Sequence, residues 1–134
     1  MVALDTSAII AILLEEPEEE VFSRIVAFRG AVVGAPSLVE VRMVLERYLP
    51  NDADREFRRM LRQRDITIIP FDAAMFEVAS DAFARFGKGR GHPAKLNFGD
   101  CMAYATARVR AVPLLFKGND FVHTDIEPAY RPVP

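Results

Sequence analysis

Tryptophan is absent, cysteine occurs once and histidine only twice in 134 residues, and each scarcity removes a class of chemistry. A single thiol, Cys101, cannot close an intramolecular disulfide, so the chain reads as a cytoplasmic protein of a reducing compartment. It cannot build a cysteine-rich zinc cage either. There is no surplus of positive charge: 17 Lys and Arg stand against 19 Asp and Glu, a formal net charge of −2. Nothing global therefore draws the chain to a phosphate backbone, and any such binding must come from local patches. Long hydrophobic runs are missing too. The apolar stretch at 8–14 lies between Asp5 and Glu15 without a basic flank before it, and is too short to cross ~30 Å of hydrocarbon, so no membrane association is expected.

What is present is 51% hydrophobic and 27% charged residues, far from the composition of disorder. The length sits near the commonest domain size of roughly 100–150 residues, so 1–134 reads as a single domain. Short apolar runs alternate with helical patterns. "VAL" at 2–4, "AVVGAP" at 31–36, "DITIIPF" at 65–71 and "VPLLF" at 112–116 read as strands. Between them, "TSAIIAILLEE", "EEEVFSRIVAF", "SLVEVRMVLERYL", "NDADREFRRMLRQR", "AAMFEVASDAFARF" and "DCMAYATARVRA" have helical spacing. Leu38, Val41, Leu45, Tyr48 and Leu49 fall on one face; Asn51 and Asp72 look like helix caps; Met43, Met60, Met75 and Met102 look like core filler. The proline-rich tail from 128 to 134 reads as irregular or strand-like. Strands alternating with helices imply an α/β domain with a mostly parallel sheet.

In such a sheet, ligands collect at the carboxyl ends of the strands. Asp5 follows the first strand and Asp120 the fourth, while Glu40 and Asp100 lie in the first turns of helices that start at the same edge. Each has a bland explanation. Asp5 can cap the first helix, "SLVE" and "NFGD" fit capping boxes for Glu40 and Asp100, and Asp120 suits the turn "KGND". Crowded together, however, carboxylates raise one another's pKa and cost stability unless a cation is present. Oxygen-only ligation suits Mg²⁺, with Mn²⁺ also apt, and such ions assist in-line displacement at a phosphodiester.

The stretches "LDTSAIIAIL", "PSLVEV", "RGHPAKLNFGDCMAYATA" and "PLLFKGNDFVHTDI" together resemble the PIN-domain ribonucleases of the VapC type, the toxin half of bacterial toxin–antitoxin pairs. The resemblance implies a three-layer α/β/α sandwich. It implies a Mg²⁺- or Mn²⁺-dependent endoribonuclease in which Asp5 and Asp100 bind the metal, Glu40 and Asp120 complete the acidic cluster, and a hydroxyl of the opening motif, Thr6 in preference to Ser7, lies against the site. It also implies an RNA substrate, products with 5′-phosphate and 3′-hydroxyl ends, a cognate antitoxin that blocks the site, and a homodimer. A PIN nuclease that processes RNA without being a toxin would carry the same residues.

Weaker signals surround this set. Lys88, Arg90 and Lys95 in the glycine-rich loop 87–99 could steer an RNA backbone toward Asp100, or simply be a solvated connector. The arginines of "REFRRMLRQR" form an exposed face that could receive an acidic partner segment. His92, His123 and Cys101 read as structural. An aspartyl phosphatase would want a second aspartate where Ser7 stands, and a phosphoacceptor receiver, for which Lys117 is superficially apt, would open with paired acids.

Overall fold

Alternation along the short strands decides the layers. In β1 (Val2–Leu4), Val2 and Leu4 pack into one apolar cluster and Ala3 into another; in β2 (Ala31–Gly34), Ala31 and Val33 part from Val32 in the same way. With side chains pointing alternately up and down, a sheet whose two faces are both apolar must be covered on both. The computed structural model, which describes residues 1–132, shows this. Helices α1 (Thr6–Leu13), α2 (Glu19–Arg29), α3 (Ala35–Tyr48) and α4 (Ala53–Gln63) supply the first cluster, around Ile9, Phe22, Leu45 and Phe57. Helices α5 (Ala73–Phe86) and α6 (Phe98–Arg110) supply the second, around Met75, Phe86 and Tyr104. The expected three-layer α/β/α sandwich is therefore observed.

β3 (Ile66–Ile69) and β4 (Leu114–Leu115) complete a four-stranded sheet in the order β3-β2-β1-β4, parallel throughout. The chain builds outward from β1 to β3, then returns to place β4 on the other side of β1. The crevice between the carboxyl ends of β1 and β4 is thus the switch point of the topology, where open α/β sheets hold their ligands. The β4 edge is covered by the tail: Leu114 donates to Glu127 and accepts from Ala129 through their backbones, so this part of the tail is strand-like, as expected. Val133 and Pro134 lie outside the described residues.

Several local expectations are corrected. Helix α3 begins at Ala35, with Pro36 in its first turn, where a missing N–H costs nothing and the fixed φ suits a helix. Ser37 is therefore not its cap and the Ser37–Glu40 capping box does not form, which leaves the Glu40 carboxylate free. Helix α4 starts from Asp52 rather than Asn51. Tyr48 and Met43, expected inside, are 62% and 68% exposed, because α3 buries only the narrower stripe of Leu38, Val41 and Leu45. Met60 and Met75 are core residues and Met102 is partly buried, as expected. Among the described residues no helix is long and apolar enough to cross a membrane.

Candidate metal and catalytic site

Asp5 is the first residue past β1 and the N-cap of α1; its Oδ2 accepts from the Ser7 backbone N–H at 3.1 Å and from the Ser7 hydroxyl at 2.5 Å. Asp5 as a whole is 5% exposed. Burial pushes its pKa up to about 6, and the Glu40 charge adds to the rise against the lowering pull of the Ser7 hydrogen bonds. The bland capping role and the proximity to another carboxylate thus hold together.

Asp100 occupies the third position of α6 and completes the capping box expected from "NFGD": its backbone N–H donates to Asn97 Oδ1 at 2.8 Å, and its Oδ2 accepts from the Asn97 N–H at 3.0 Å. Burial pushes this carboxyl up to about 7, with the charges of Asp5, Asp120 and Glu40 adding to it and the Asn97 hydrogen bond opposing. Three acids distant in sequence are close enough to be felt at one carboxyl.

Glu40 reaches the same cleft from α3. Its Oε1 accepts from the Thr6 hydroxyl at 2.5 Å, so Thr6 holds Glu40 in place. Its second neighbour is an absence. A Cβ on Gly99 would come within 2.4 Å of Glu40 Oε2 and 2.5 Å of Oε1, so the glycine in the first turn of α6 is what lets the carboxylate nest against that helix. Asp5, Thr6, Ser7, Glu40 and Asp100 line one open cleft with Glu16 and Lys117 at its rim. Asp120 stands outside that wall, exposed at the start of the 3₁₀ turn Phe121–His123, though its charge reaches Asp100.

Lys117, just past β4, links the β4 side of the crevice to the β1 side. Its backbone N–H donates to Ser7 Oγ at 3.0 Å, and its ammonium pairs with Glu16 at 3.2 Å and Glu18 at 3.1 Å. It thus engages those glutamates rather than Asp5, unlike the lysine a phosphoacceptor site would want. Both hydroxyls of the opening motif are engaged, Thr6 on Glu40 and Ser7 on Asp5, whereas the sequence reading preferred Thr6; Gly99 was passed over and Lys117 was read otherwise. A hydroxyl two positions after a capping aspartate and a glycine inside a helical first turn were the available signals.

The remaining candidates lie elsewhere. Lys88, Arg90 and Lys95 are exposed on loop 87–97 and none lines the cleft. That loop is anchored rather than slack: Ala94 and Leu96 are fully buried, Lys88 N–H donates to Leu96 O, and His92 packs edge-on to Phe86 at 5.0 Å while accepting from the Ala94 N–H. His92 is structural, as expected. Cys101 faces the core, and burial with the adjacent Asp100 charge pushes its thiol up to about 11, which fits packing and not nucleophilic attack.

Among the described residues no three His, Cys, Asp or Glu side chains form a ready-made metal cage. The donor set nevertheless fits a hard cation. Every acid in the cleft offers oxygen alone, the charges repel, and Mg²⁺ is commonly held by one or two carboxylates with several waters rather than by a closed cage.

The PIN domain family model matches residues 2–127. The chain belongs to the PIN-domain family. Within it, the chain is of the VapC ribonuclease type: it is 39% identical over 127 residues to ribonuclease VapC42 of Mycobacterium tuberculosis, covering 94% of this chain and 97% of that protein. Two solved structures share the PIN fold at 16% identity. One is M. tuberculosis VapC20, a sarcin-ricin loop cleaving toxin, with a TM-score of 0.72 over 96% of this chain and all of that one. The other is a toxin–antitoxin complex from Klebsiella pneumoniae, with a TM-score of 0.70 over 93% of each chain.

Proposed function

We propose that this PIN domain, spanning residues 1–134, is a divalent-metal-dependent endoribonuclease that acts as a cytoplasmic toxin and is held in check by a cognate antitoxin. The observation that carries this reading is the convergence of Asp5, Glu40 and Asp100 on one cleft, where burial raises the Asp100 carboxyl and the charges of Asp5, Asp120 and Glu40 add to the rise. Like charges gathered at the switch point of a parallel sheet are costly without a counter-ion. Asp5 and Asp100 would hold Mg²⁺ or Mn²⁺, with Glu40 and Asp120 completing the acidic set. When bound, such an ion supplies Lewis acidity toward water and neutralises charge on a phosphodiester.

The protein's own groups do the rest. Ser7 orients Asp5, Thr6 orients Glu40, and Asn97 orients Asp100, so the oxygens converge with little freedom to rearrange. Lys88, Arg90 and Lys95 lie outside the cleft and would meet the RNA backbone away from the cut. Family membership and the relatives' names, ribonuclease VapC42 and a toxin–antitoxin complex, support the substrate and the antitoxin. The experiment is to incubate the purified protein with defined RNAs in Mg²⁺, Mn²⁺ or EDTA and map the ends. Cleavage with either metal, leaving 5′-phosphate and 3′-hydroxyl termini and abolished by EDTA, is expected; undiminished cleavage in EDTA would refute the reading.

We also infer a homodimer. Phe76, Phe83 and Phe98 lie exposed along an apolar groove between α5 and α6, and contiguous exposed aromatics mark interaction surfaces.

A further inference from the structure

A second cavity, of about 380 Å³, opens beside the acidic cleft at the carboxyl end of β4. Lys117 belongs to the walls of both. Because the Lys117 backbone is bonded to Ser7 and Ser7 to Asp5, the cavity is held in fixed register with the carboxylate that opens the site. Its lining is apolar at Val122, Ile126 and Tyr130 and polar at Glu18, Asn119 and Arg131. Glu18 Oε1 is sealed from solvent and pairs with the Lys117 ammonium at 3.1 Å.

We infer that this cavity is a subsite for the unpaired nucleotide adjoining the phosphodiester at Asp5 and Asp100, and so sets which base is accepted beside the cut. The inference rests on the endoribonuclease reading. Its size lies within the range of small-ligand pockets, roughly 300–1,000 Å³, which combine apolar walls with a few placed polar groups. Sequence in RNA is read mainly from splayed, single-stranded bases, stacked on flat side chains and hydrogen-bonded along their edges. Tyr130 and Arg131 offer the planes, Glu18 and Asn119 the edge partners. A strand with one phosphate in the acidic cleft reaches this cavity past Lys117, which lines both.

The test titrates the full chain, in Mg²⁺, with AMP, GMP, CMP, UMP and ribose 5-phosphate, followed by amide chemical shifts. At least one nucleotide should bind about tenfold tighter than ribose 5-phosphate, the increment a stacked base supplies, with shifts at Asn119, Val122 and Thr124. Val122→Trp, which fills the cavity from an exposed position, should erase that preference, and Arg131→Ala should weaken it without altering the melting temperature. Equal binding of all five ligands, or an unchanged preference in both variants, would overturn the subsite. RNA cleavage by the same preparation is scored separately: base-selective binding without any cleavage would refute the nuclease reading while upholding the subsite.

Discussion

Glu40 occupies the space that a side chain at position 99 would fill: a Cβ built there lies 2.4 Å from Glu40 Oε2. Gly99→Ala should therefore evict the carboxylate. Since the displaced atoms are the free end of a flexible side chain and alanine favours helix by up to about 1 kcal/mol, the fold should be as stable as before. Metal-dependent RNA cleavage should fall by about tenfold or more as one preorganised charge is lost. Equal activity with Glu40 displaced would remove Glu40 from the site; paired thermal melts and rate measurements distinguish the cases.

Ser7→Ala removes one of two donors to Asp5 and the acceptor of the Lys117 N–H. The stability cost should be about 1 kcal/mol, since Lys117 is exposed and water can replace the lost partner. The Asp5 carboxyl should rise further, because the Ser7 hydroxyl is its largest lowering influence. The acid limb of the pH–rate profile should accordingly move to higher pH, whereas a purely structural serine would lower stability and leave the profile in place.

Stability should depend on pH in a defined direction. Asp5 and Asp100 titrate near 6 and 7 in the metal-free fold, against 3.8 ordinarily. Between those values the folded chain holds more protons than the unfolded one, so this stabilisation is complete below about pH 4 and is lost as pH rises through 6 and 7. In EDTA the melting temperature should fall from pH 5 to pH 8, and Asp100→Asn should flatten that fall. Adding Mn²⁺ should raise the melting temperature more at pH 8 than at pH 5. A metal-free protein that gains stability across this window would contradict the raised carboxyls.

Phe98, 76% exposed, lies at the start of α6 beside the groove attributed to a second copy. Phe98→Glu combined with Phe83→Glu should convert a dimer into a monomer in sedimentation velocity without loss of secondary structure. A wild-type protein that sediments as a monomer at tens of micromolar would dismiss that assignment.

Much of this was legible in the sequence where the signal is local. The Asn97–Asp100 capping box forms as its spacing implied, and the alternation of strands with helices put Asp5 and Asp100 at one sheet edge. The place of Glu40 at the cleft was legible but not its local role, because Pro36 starts α3 earlier than the apolar periodicity suggests. Gly99 showed only as a glycine inside a helical first turn, since its meaning is a contact with a residue 59 positions away. Loop 87–97 looked slack because its anchors, Ala94 and Leu96, are two isolated apolar residues whose burial depends on the cluster around Phe86.

The most direct measurement of the central claim is Mn²⁺ binding to the purified protein, followed by electron paramagnetic resonance, for the wild type, Asp5→Asn and Asp100→Asn. The wild type should bind Mn²⁺ with release of protons near pH 6.5, and each substitution should weaken binding by about tenfold or more. Asparagine keeps an acceptor for the Ser7 and Asn97 N–H groups, so the folds should persist. Mn²⁺ binding that is equally tight in all three proteins would mean that Asp5 and Asp100 do not share an ion.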